Sequence, residues 1–292
     1  MENFVQQLIN GLSLGSIYAL LALGYTMVYG IIKLINFAHG DIYMVGAFVG
    51  YYVINYLNVG LIPALLLSMT FTALLGVVLE RVAYRPLRNS SRITALITAI
   101  GVSYLLQNGM IYLVGPGVRS FPQVVNNTLY QIGSFQISQM QLLIFGTTIV
   151  LMGALHFVVQ KTKMGKAMRA VSIDSQAAEL MGINPHAVIS FTFLLGSALA
   201  GAAGVLVGMY YNSIDPMMGY APGLKAFIAA VLGGIGIIPG AMVGGFVIGL
   251  IEVLISGYGN SMIRDAVVYG ILILILVVRP SGILGRHVKE KV

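Results

Sequence analysis

Long apolar runs alternate with short polar stretches along the whole chain. A helix needs about 20 apolar residues to cross the hydrocarbon core of a bilayer. Eight runs approach or exceed that length: residues 8–32, 42–57, 61–80, 93–114, 142–159, 188–210, 240–257 and 264–278. A ninth apolar piece, 224–238, is short and is broken by Gly233, Gly234 and Gly236. The pattern predicts an all-α polytopic membrane protein with about eight to nine transmembrane helices, counting the segments that glycines break.

The composition excludes a soluble globular protein. Of the 292 residues, 58% are hydrophobic and 9% are charged, whereas soluble domains carry about 25% charged residues. The chain has no cysteine, which excludes disulfides, thiolate metal sites and cysteine nucleophiles. The net charge of +7 indicates basic cytoplasmic loops rather than a nucleic-acid partner, because basic residues of membrane proteins gather on the cytoplasmic side.

The basic residues predict the orientation of the chain. Most of them fall in three groups: Arg81, Arg85, Arg88 and Arg92; Lys161, Lys163, Lys166 and Arg169; and Arg279, Arg286, Lys289 and Lys291. The positive-inside rule places all three groups in the cytoplasm, and the loop 115–141, with Arg119 alone, outside. The N-terminus is then outside and the C-terminus cytoplasmic. Such an arrangement needs an odd number of crossings, which favours a crossing or deeply inserted broken helix at 224–238.

The chain is expected to form a single transmembrane domain over 1–292, with a weak two-half organisation around a cytoplasmic loop at 160–187. Each half contains a Gly-interrupted apolar segment, 24–46 in the first and 223–245 in the second. Paired broken segments indicate a transport pathway between the halves, although glycines that serve only helix packing would give the same pattern. The candidate pathway residues are Asn36, His39 and Asp41, and Gly233, Gly234, Gly236 and Pro239.

Two interpretations are open for the stretch KLINFAHGD, residues 33–41. In the first it is a turn at the cytoplasmic surface, and His39, Gly40 and Asp41 cap a helix that begins near Ile42. Asp41 would then lie at the positive end of that helix. In the second it is a break within a segment that lines a pathway, and its polar groups satisfy backbone that lipid would leave unpaired.

Catalytic motifs are absent from the sequence. It contains no GxxxxGK[ST] phosphate loop, no HExxH zinc motif and no GxSxG nucleophile elbow. We therefore predict no catalytic residue, no metal site and no cofactor in this chain, so any ATP and Mg²⁺ would be bound by partner subunits. An ion-coupled carrier would need ionisable groups inside the membrane. Glu252 within 240–257 and His156 are candidates, and Glu80, followed by Arg81, is expected to be interfacial and paired.

The loop 161–187 predicts a short helix near 172–182. Asp174 or Ser175 can cap it, Gly182 can end it, and Pro185 prevents its continuation. The basic residues that open the loop suit anionic lipid headgroups. A surface helix of this kind either docks in the groove of a partner or is an ordinary amphipathic connector.

The residues of this helix resemble a motif of a known protein family. Gln176, Ala177, Ala178 and Gly182 match the "EAA" coupling motif of bacterial ABC-importer permeases, with Gln in place of the usual Glu. Five stretches, one of which contains this motif, resemble the high-affinity branched-chain amino-acid ABC permease family, and most closely its H-type subunit: 24–47, 80–101, 164–184, 223–245 and 279–286. The resemblance covers nearly the whole chain.

The resemblance implies an ABC-importer permease fold and a set of partners. These are a paralogous permease subunit that completes a heterodimer, two ABC ATPase subunits that contact the coupling helix, and an extracytoplasmic binding protein for leucine, isoleucine or valine. The location implied is the bacterial inner membrane. A different small amino acid or an amide such as urea is an alternative substrate, and a secondary carrier that works without ATPases is a further alternative.

Overall fold

A computed structural model describes residues 2–88, 90–125, 128–133 and 135–285. Within these ranges the chain forms eleven α-helices: α1 Glu2–Ile32, α2 His39–Leu57, α3 Leu61–Leu79, α4 Arg92–Val114, α5 Gln139–Lys161, α6 Lys163–Ile173, α7 Ser175–Leu180, α8 Pro185–Tyr211, α9 Tyr220–Gly233, α10 Ile238–Tyr258 and α11 Arg264–Val278. A π-helical turn, Glu80–Tyr84, continues α3. The predicted all-α architecture is confirmed.

Four short strands form two small antiparallel sheets: β1 Arg119–Ser120, β2 Leu129–Ile132, β3 Phe135–Ser138 and β4 Ser213–Ile214. Strand β1 pairs with β4, with Arg119 opposite Ile214. Strands β2 and β3 form a hairpin, with Tyr130 opposite Ile137. The pairing of β1 with β4 joins the loop after α4 to the loop after α8.

Seven of the described helices are long and apolar enough to cross a membrane: α1, α3, α4, α5, α8, α10 and α11. Together with α2 and α9 they account for the nine segments predicted from the sequence. Helix α9 has 14 residues and is about 21 Å long at 1.5 Å per residue, which is short of a full span. Helix α2 has 19 residues, and the residues from His39 to Phe48 are all buried.

The bundle has a protected centre and an exposed periphery. In the most apolar stretch of α1, 78% of the residues are buried, and in α8 72%, against 17% in α4 and 6% in α11. Helices α1 and α8 therefore form the core, and α4 and α11 lie outside it. Their exposed apolar faces suit lipid or a neighbouring membrane protein.

Small residues let the central helices approach closely. Gly46 of α2 faces Gly201 of α8, and a side-chain carbon on Gly204 would meet the backbone of α2. On the other side of α1, Gly15 packs against Gly249 of α10. Backbone contacts of this kind add dispersion energy where lipid provides no hydrophobic driving force between helices.

The two chain ends lie at opposite ends of the bundle. Near the N-terminus, the side chain of Gln6 donates to the backbone oxygen of Gln136 in β3 at 2.9 Å. In the tail, the backbone N–H of Ile283 donates to the oxygen of Leu232 near the end of α9 at 2.8 Å. Arg88 lies at this second end, beside His186 at the start of α8, as do the basic residues of α6. The predicted tail cations Arg286, Lys289 and Lys291 lie outside the described residues.

Candidate functional site

The chain turns back into the bundle after α1. Residues 33–36 are not helical, and α2 begins at His39, where the backbone N–H donates to the oxygen of Asn36 at 3.1 Å. The imidazole of His39 lies against Gly24, which precedes the end of α1 by eight residues, or about 12 Å. Helix α2 therefore starts inside the bundle and not at its surface.

The three polar residues of this break are all buried. Asn36, His39 and Asp41 expose 2%, 1% and 2% of their surface, so the surface-turn interpretation is wrong. The hydroxyl of Tyr84 donates to Oδ1 of Asn36 at 2.6 Å. The side-chain amide of Gln107 donates to Oδ1 of Asp41 at 2.8 Å. These contacts fix the non-helical backbone between α1 and α2.

His39 is held mainly by packing. Its ring meets the ring of Tyr25 edge to face, with the centroids 4.8 Å apart. Its Nε2 atom is buried and has no hydrogen-bond partner among the described residues. A methyl group on Gly24 would collide with this imidazole. The imidazole of His39 thus fills the space between α1 and the start of α2.

The glycines predicted in the second half occupy a different place. Helix α9 ends at Gly233, and Gly234 and Gly236 adopt positive φ angles of 107° and 93° in the turn to α10. Pro239 lies in the first turn of α10, where its missing N–H costs no helical hydrogen bond. This turn packs against Gly30 at the end of α1. The structure therefore does not bring these four residues together with Asn36, His39 and Asp41.

The interior break of the second half lies before α9, at residues 212–219. Gly40 at the start of α2 and Gly219 just before α9 meet backbone to backbone, and Gly223 packs against Gly40 as well. From this junction α2 runs toward the end that carries β1 and β4, and α9 runs toward the end that carries the tail. Two helix N-termini thus meet within the bundle, as in broken-helix transporters. Sequence analysis missed Gly219 and Gly223.

A cavity of about 570 Å³ adjoins the junction. Its volume lies within the range of small-molecule sites, about 300–1,000 Å³. It is lined by Tyr25, Phe37, Asp41, Leu96, Ile100, Ser103, Tyr104, Gln107, Met217, Gly219, Tyr220, Gly223 and Leu224. The lining combines apolar and aromatic side chains with a few polar groups, of which Asp41 carries the charge.

The other buried carboxylates have basic partners. Glu252, which the sequence places inside a span, binds Nζ of Lys225 at 2.8 Å and the hydroxyl of Tyr18 at 2.7 Å. Lys225 also reaches Asp265 at 2.8 Å, and Arg264 lies 3.2 Å from Glu252. These contacts tie α9, α10 and α11 to α1. Sequence analysis missed Lys225. The feature that could have revealed it is a single cation inside the apolar segment 224–238.

Glu80 is paired, as predicted, but its ion-pair partner is Arg88 rather than the adjacent Arg81. Its side chain is fully buried at the end of α3. The hydroxyl of Ser190 on α8 donates to its second carboxylate oxygen at 2.5 Å. The π-helical turn at 80–84 places Glu80 toward α8, so the ion pair fastens the end of α3 to the start of α8.

The predicted surface helix is α7, and it is shorter than the range 172–182. Ser172 and Ile173 belong to α6, which sequence analysis missed. Asp174 caps α7 by accepting from the N–H groups of Gln176 and Ala177, both at 2.9 Å. Gly182 has a φ of 82°, and the N–H of Ile183 donates to the oxygen of Ala178 at 3.0 Å. The predicted end of the helix at Gly182 is therefore confirmed.

Helix α7 presents apolar side chains away from the bundle. Ala178 is buried against the body of the protein, whereas Gln176, Ala177 and Gly182 are exposed. Around them Ile173, Leu180 and Met181 expose 87%, 89% and 83% of their surface. We call these three residues the apolar patch. It lies at the end of the bundle that carries the basic residues, and its chemistry is that of a docking surface.

Long apolar helices, two helix N-termini that meet inside the bundle and an exposed docking helix together define a polytopic membrane permease. Residues 7–277 match the family model described as the permease component of branched-chain amino acid transport systems. The chain belongs to this family.

The curated relatives agree with this assignment. The chain is 45% identical to the high-affinity branched-chain amino acid transport system permease protein LivH of Salmonella typhimurium, over 99% of this chain and 98% of the relative. It is 44% identical to the corresponding protein BraD of Pseudomonas aeruginosa, with the same coverage. A probable LivH from Methanocaldococcus jannaschii is 30% identical over 94% of this chain and 90% of the relative. No solved structure matches the chain.

Proposed function

We propose that this chain is the membrane-spanning permease subunit of an ATP-driven ABC importer that carries leucine, isoleucine and valine into the cytoplasm. The observation that carries the proposal is the exposed α7 with its apolar patch, in a chain whose relatives at 44–45% identity are named as branched-chain amino acid permeases. The sequence has no phosphate-binding loop of its own. In the proposed mechanism the energy for transport comes from a partner that docks on α7.

Two ABC ATPase subunits are the proposed source of this energy, and ATP and Mg²⁺ are bound there. Exposed Leu180 and Met181 fit an apolar groove on an ATPase, while buried Ala178 anchors α7 to the permease. Movement of α7 is passed to α8 through the short turn at 181–184, because Asn184 caps α8 by accepting from the N–H of His186 at 2.9 Å. Helix α8 packs against α2 through Gly204, so its movement reaches the junction with α9.

A paralogous permease subunit is proposed to complete the pathway as a heterodimer. The weakly buried helices α4 and α11 offer apolar faces for this subunit and for lipid. An extracytoplasmic binding protein delivers the amino acid to the opposite end from α7. The loops that hold β1, β4 and the β2–β3 hairpin form the docking surface there, with Leu129 61% exposed and Tyr130 48% exposed.

The proposed location is the bacterial inner membrane, with the N-terminus outside and the tail in the cytoplasm. The positive-inside rule supports this orientation, since Arg88, Lys166 and Arg169 lie at the end of the bundle that carries α7. The amino acid moves by alternating access. It enters from the binding protein, passes the junction of α2 and α9, and leaves when closure of the ATPases rocks the helices around that junction.

Uptake of labelled leucine into proteoliposomes tests the proposal. The liposomes contain this chain, its paralogous subunit and the two ATPases, with the binding protein added outside. We expect accumulation that requires internal ATP and the binding protein. Absence of ATP-dependent uptake by the complete assembly would contradict the proposal. Uptake by this chain alone without ATP would instead support a secondary carrier, and retention of another solute by the binding protein would reassign the substrate.

A further inference from the structure

Asp41 is the buried carboxylate of the described chain that has no basic partner. The buried carboxylates in that part of the chain are Asp41, Glu80 and Glu252. Glu80 is paired with Arg88, and Glu252 with Lys225 and Arg264. The charge of Asp41 meets the neutral amide of Gln107. Removal of a carboxylate from water is costly unless a cation or several donors compensate it, so Asp41 is equipped to receive a cation.

The surroundings of Asp41 favour an organic cation. The cavity beside it holds the aromatic rings of Tyr25, Phe37, Tyr104 and Tyr220, and aromatic faces attract ammonium groups. The polar neighbours of Asp41 are the amide of Gln107, which donates to Oδ1, and the hydroxyl of Ser103, and both are neutral. An ammonium group that enters the cavity would supply the positive charge that these two neighbours lack.

Part of the cavity lining is apolar. Leu96 and Ile100 of α4 and Leu224 of α9 form this part. Residues four apart on a helix lie on the same face, so Leu96, Ile100 and Tyr104 form a continuous strip along α4. A ligand that fits this lining carries an ammonium group for Asp41 and a branched hydrocarbon chain for the apolar residues.

We propose that Asp41 binds the ammonium group of the amino acid in transit, while its side chain lies against Leu96, Ile100 and Leu224. The inference rests on the proposed function, and it assigns to Asp41 a substrate contact that selects amino acids over analogues without an ammonium group. The adjacent helix N-termini of α2 and α9 stabilise the carboxylate in the empty state.

The absence of cysteine from the sequence permits a direct test in the assembled permease–ATPase complex. Ser103→Cys places a thiol in this cavity. Ser256→Cys is the control, since it lines a separate cavity of about 280 Å³ where Glu252 already holds Lys225. Each thiol is treated with aminoethyl methanethiosulfonate, which is cationic, and with the sulfonatoethyl reagent, which is anionic. The measured quantity is the ratio of the two rates, read as a mass shift of this chain.

We expect the ratio at Ser103→Cys to exceed the ratio at Ser256→Cys by about tenfold, equivalent to about 1.4 kcal/mol. Addition of Asp41→Asn is expected to remove this excess. Equal ratios at the two positions with Asp41 present would overturn the proposal, as would a Ser103→Cys thiol that neither reagent reaches. If the Asp41→Asn protein does not assemble, the comparison of the two positions with Asp41 present still decides the matter.

Competition identifies the group that binds. Leucine and isopentylamine, which both carry an ammonium group, are expected to slow the modification of Ser103→Cys at millimolar concentration. The oxo acid that corresponds to leucine lacks the ammonium group and is expected to have no effect. Equal protection by all three compounds would overturn the role of Asp41. Wild-type uptake tests the proposed function separately, so the failure of one proposal is distinguishable from the failure of the other.

Discussion

Gly40 and Gly219 meet backbone to backbone inside the bundle, where the N-termini of α2 and α9 converge. We expect Gly40→Ala to destabilise the protein, because its methyl group would collide with the carbonyl oxygen of Gly219. Overpacking of this kind costs about 1–3 kcal/mol. Thermal unfolding of the purified protein in detergent measures the effect as a lower Tm.

Gly101→Ala is the matched control for this substitution. A methyl group on Gly101 meets no atom within 4 Å, and alanine is the better helix former by about 1 kcal/mol. The control protein is expected to have an unchanged or higher Tm. A Gly40→Ala protein as stable as this control would mean that the two backbones do not touch.

Lys225 compensates Glu252 inside the bundle, so Lys225→Met is expected to destabilise the protein strongly. Loss of one partner of a buried ion pair costs about 3–5 kcal/mol. In this variant Glu252 keeps only one basic partner among the described residues, Arg264, whose side chain is 38% exposed. The double variant Lys225→Met, Glu252→Gln removes both charges of the buried pair and should recover part of the lost stability. Tm values for the single and double variants test this, and a double variant less stable than Lys225→Met would contradict the pairing.

Gly182 ends α7 with a positive φ, and its N–H donates to the oxygen of Glu179 at 2.9 Å. Proline can supply neither feature. Gly182→Pro is therefore expected to distort the end of α7 and to uncouple ATP hydrolysis from leucine uptake. Gly182→Asn is the control, because asparagine tolerates this conformation. The ratio of transported leucine to hydrolysed ATP is the measurement, and an unchanged ratio in the proline variant would rule out a coupling role for α7.

A substitution in the apolar patch is expected to weaken partner binding without unfolding the chain. Leu180 is 89% exposed, so Leu180→Asp should change the free energy of unfolding of the isolated chain by less than about 0.5 kcal/mol. Co-purification of the ATPase subunits is expected to fall at least severalfold. Lys166→Ala, at an exposed position on the neighbouring α6, should retain them. Full retention by Leu180→Asp would show that the ATPases bind elsewhere.

Features with a local cause could be predicted from the sequence. Apolar length predicts the seven long helices, because lipid demands about 20 apolar residues from each. The cap at Asp174 and the stop at Gly182 also follow from neighbouring residues alone. The clustering of basic residues at one end of the bundle is likewise a property of the sequence.

Features that depend on tertiary contacts could not be predicted. Gly219 lies among loop-forming residues, and its contact with Gly40 joins positions far apart in the chain. Gly233 and Gly236 have the glycine pattern of a broken segment, yet they form a turn at the end of the bundle, because α9 ends there and α10 follows at once. Lys225 comes within ion-pair distance of Glu252 only when α9 and α10 pack side by side.

Access to Met217 tests most directly the claim that the amino acid passes the junction of α2 and α9. Met217 lines the cavity there, and Met217→Cys introduces a thiol into a chain that has none. An impermeant maleimide is added to the outside of proteoliposomes that contain the complete transporter. Tyr56→Cys, at a 76% exposed position near the outer end of α2, is the control. We predict that trapping the ATPases with vanadate changes the labelling rate of Met217→Cys by about tenfold or more, as a population shift requires, while Tyr56→Cys is unaffected. Equal labelling of Met217→Cys in both states, in a transporter that still takes up leucine, would contradict the account.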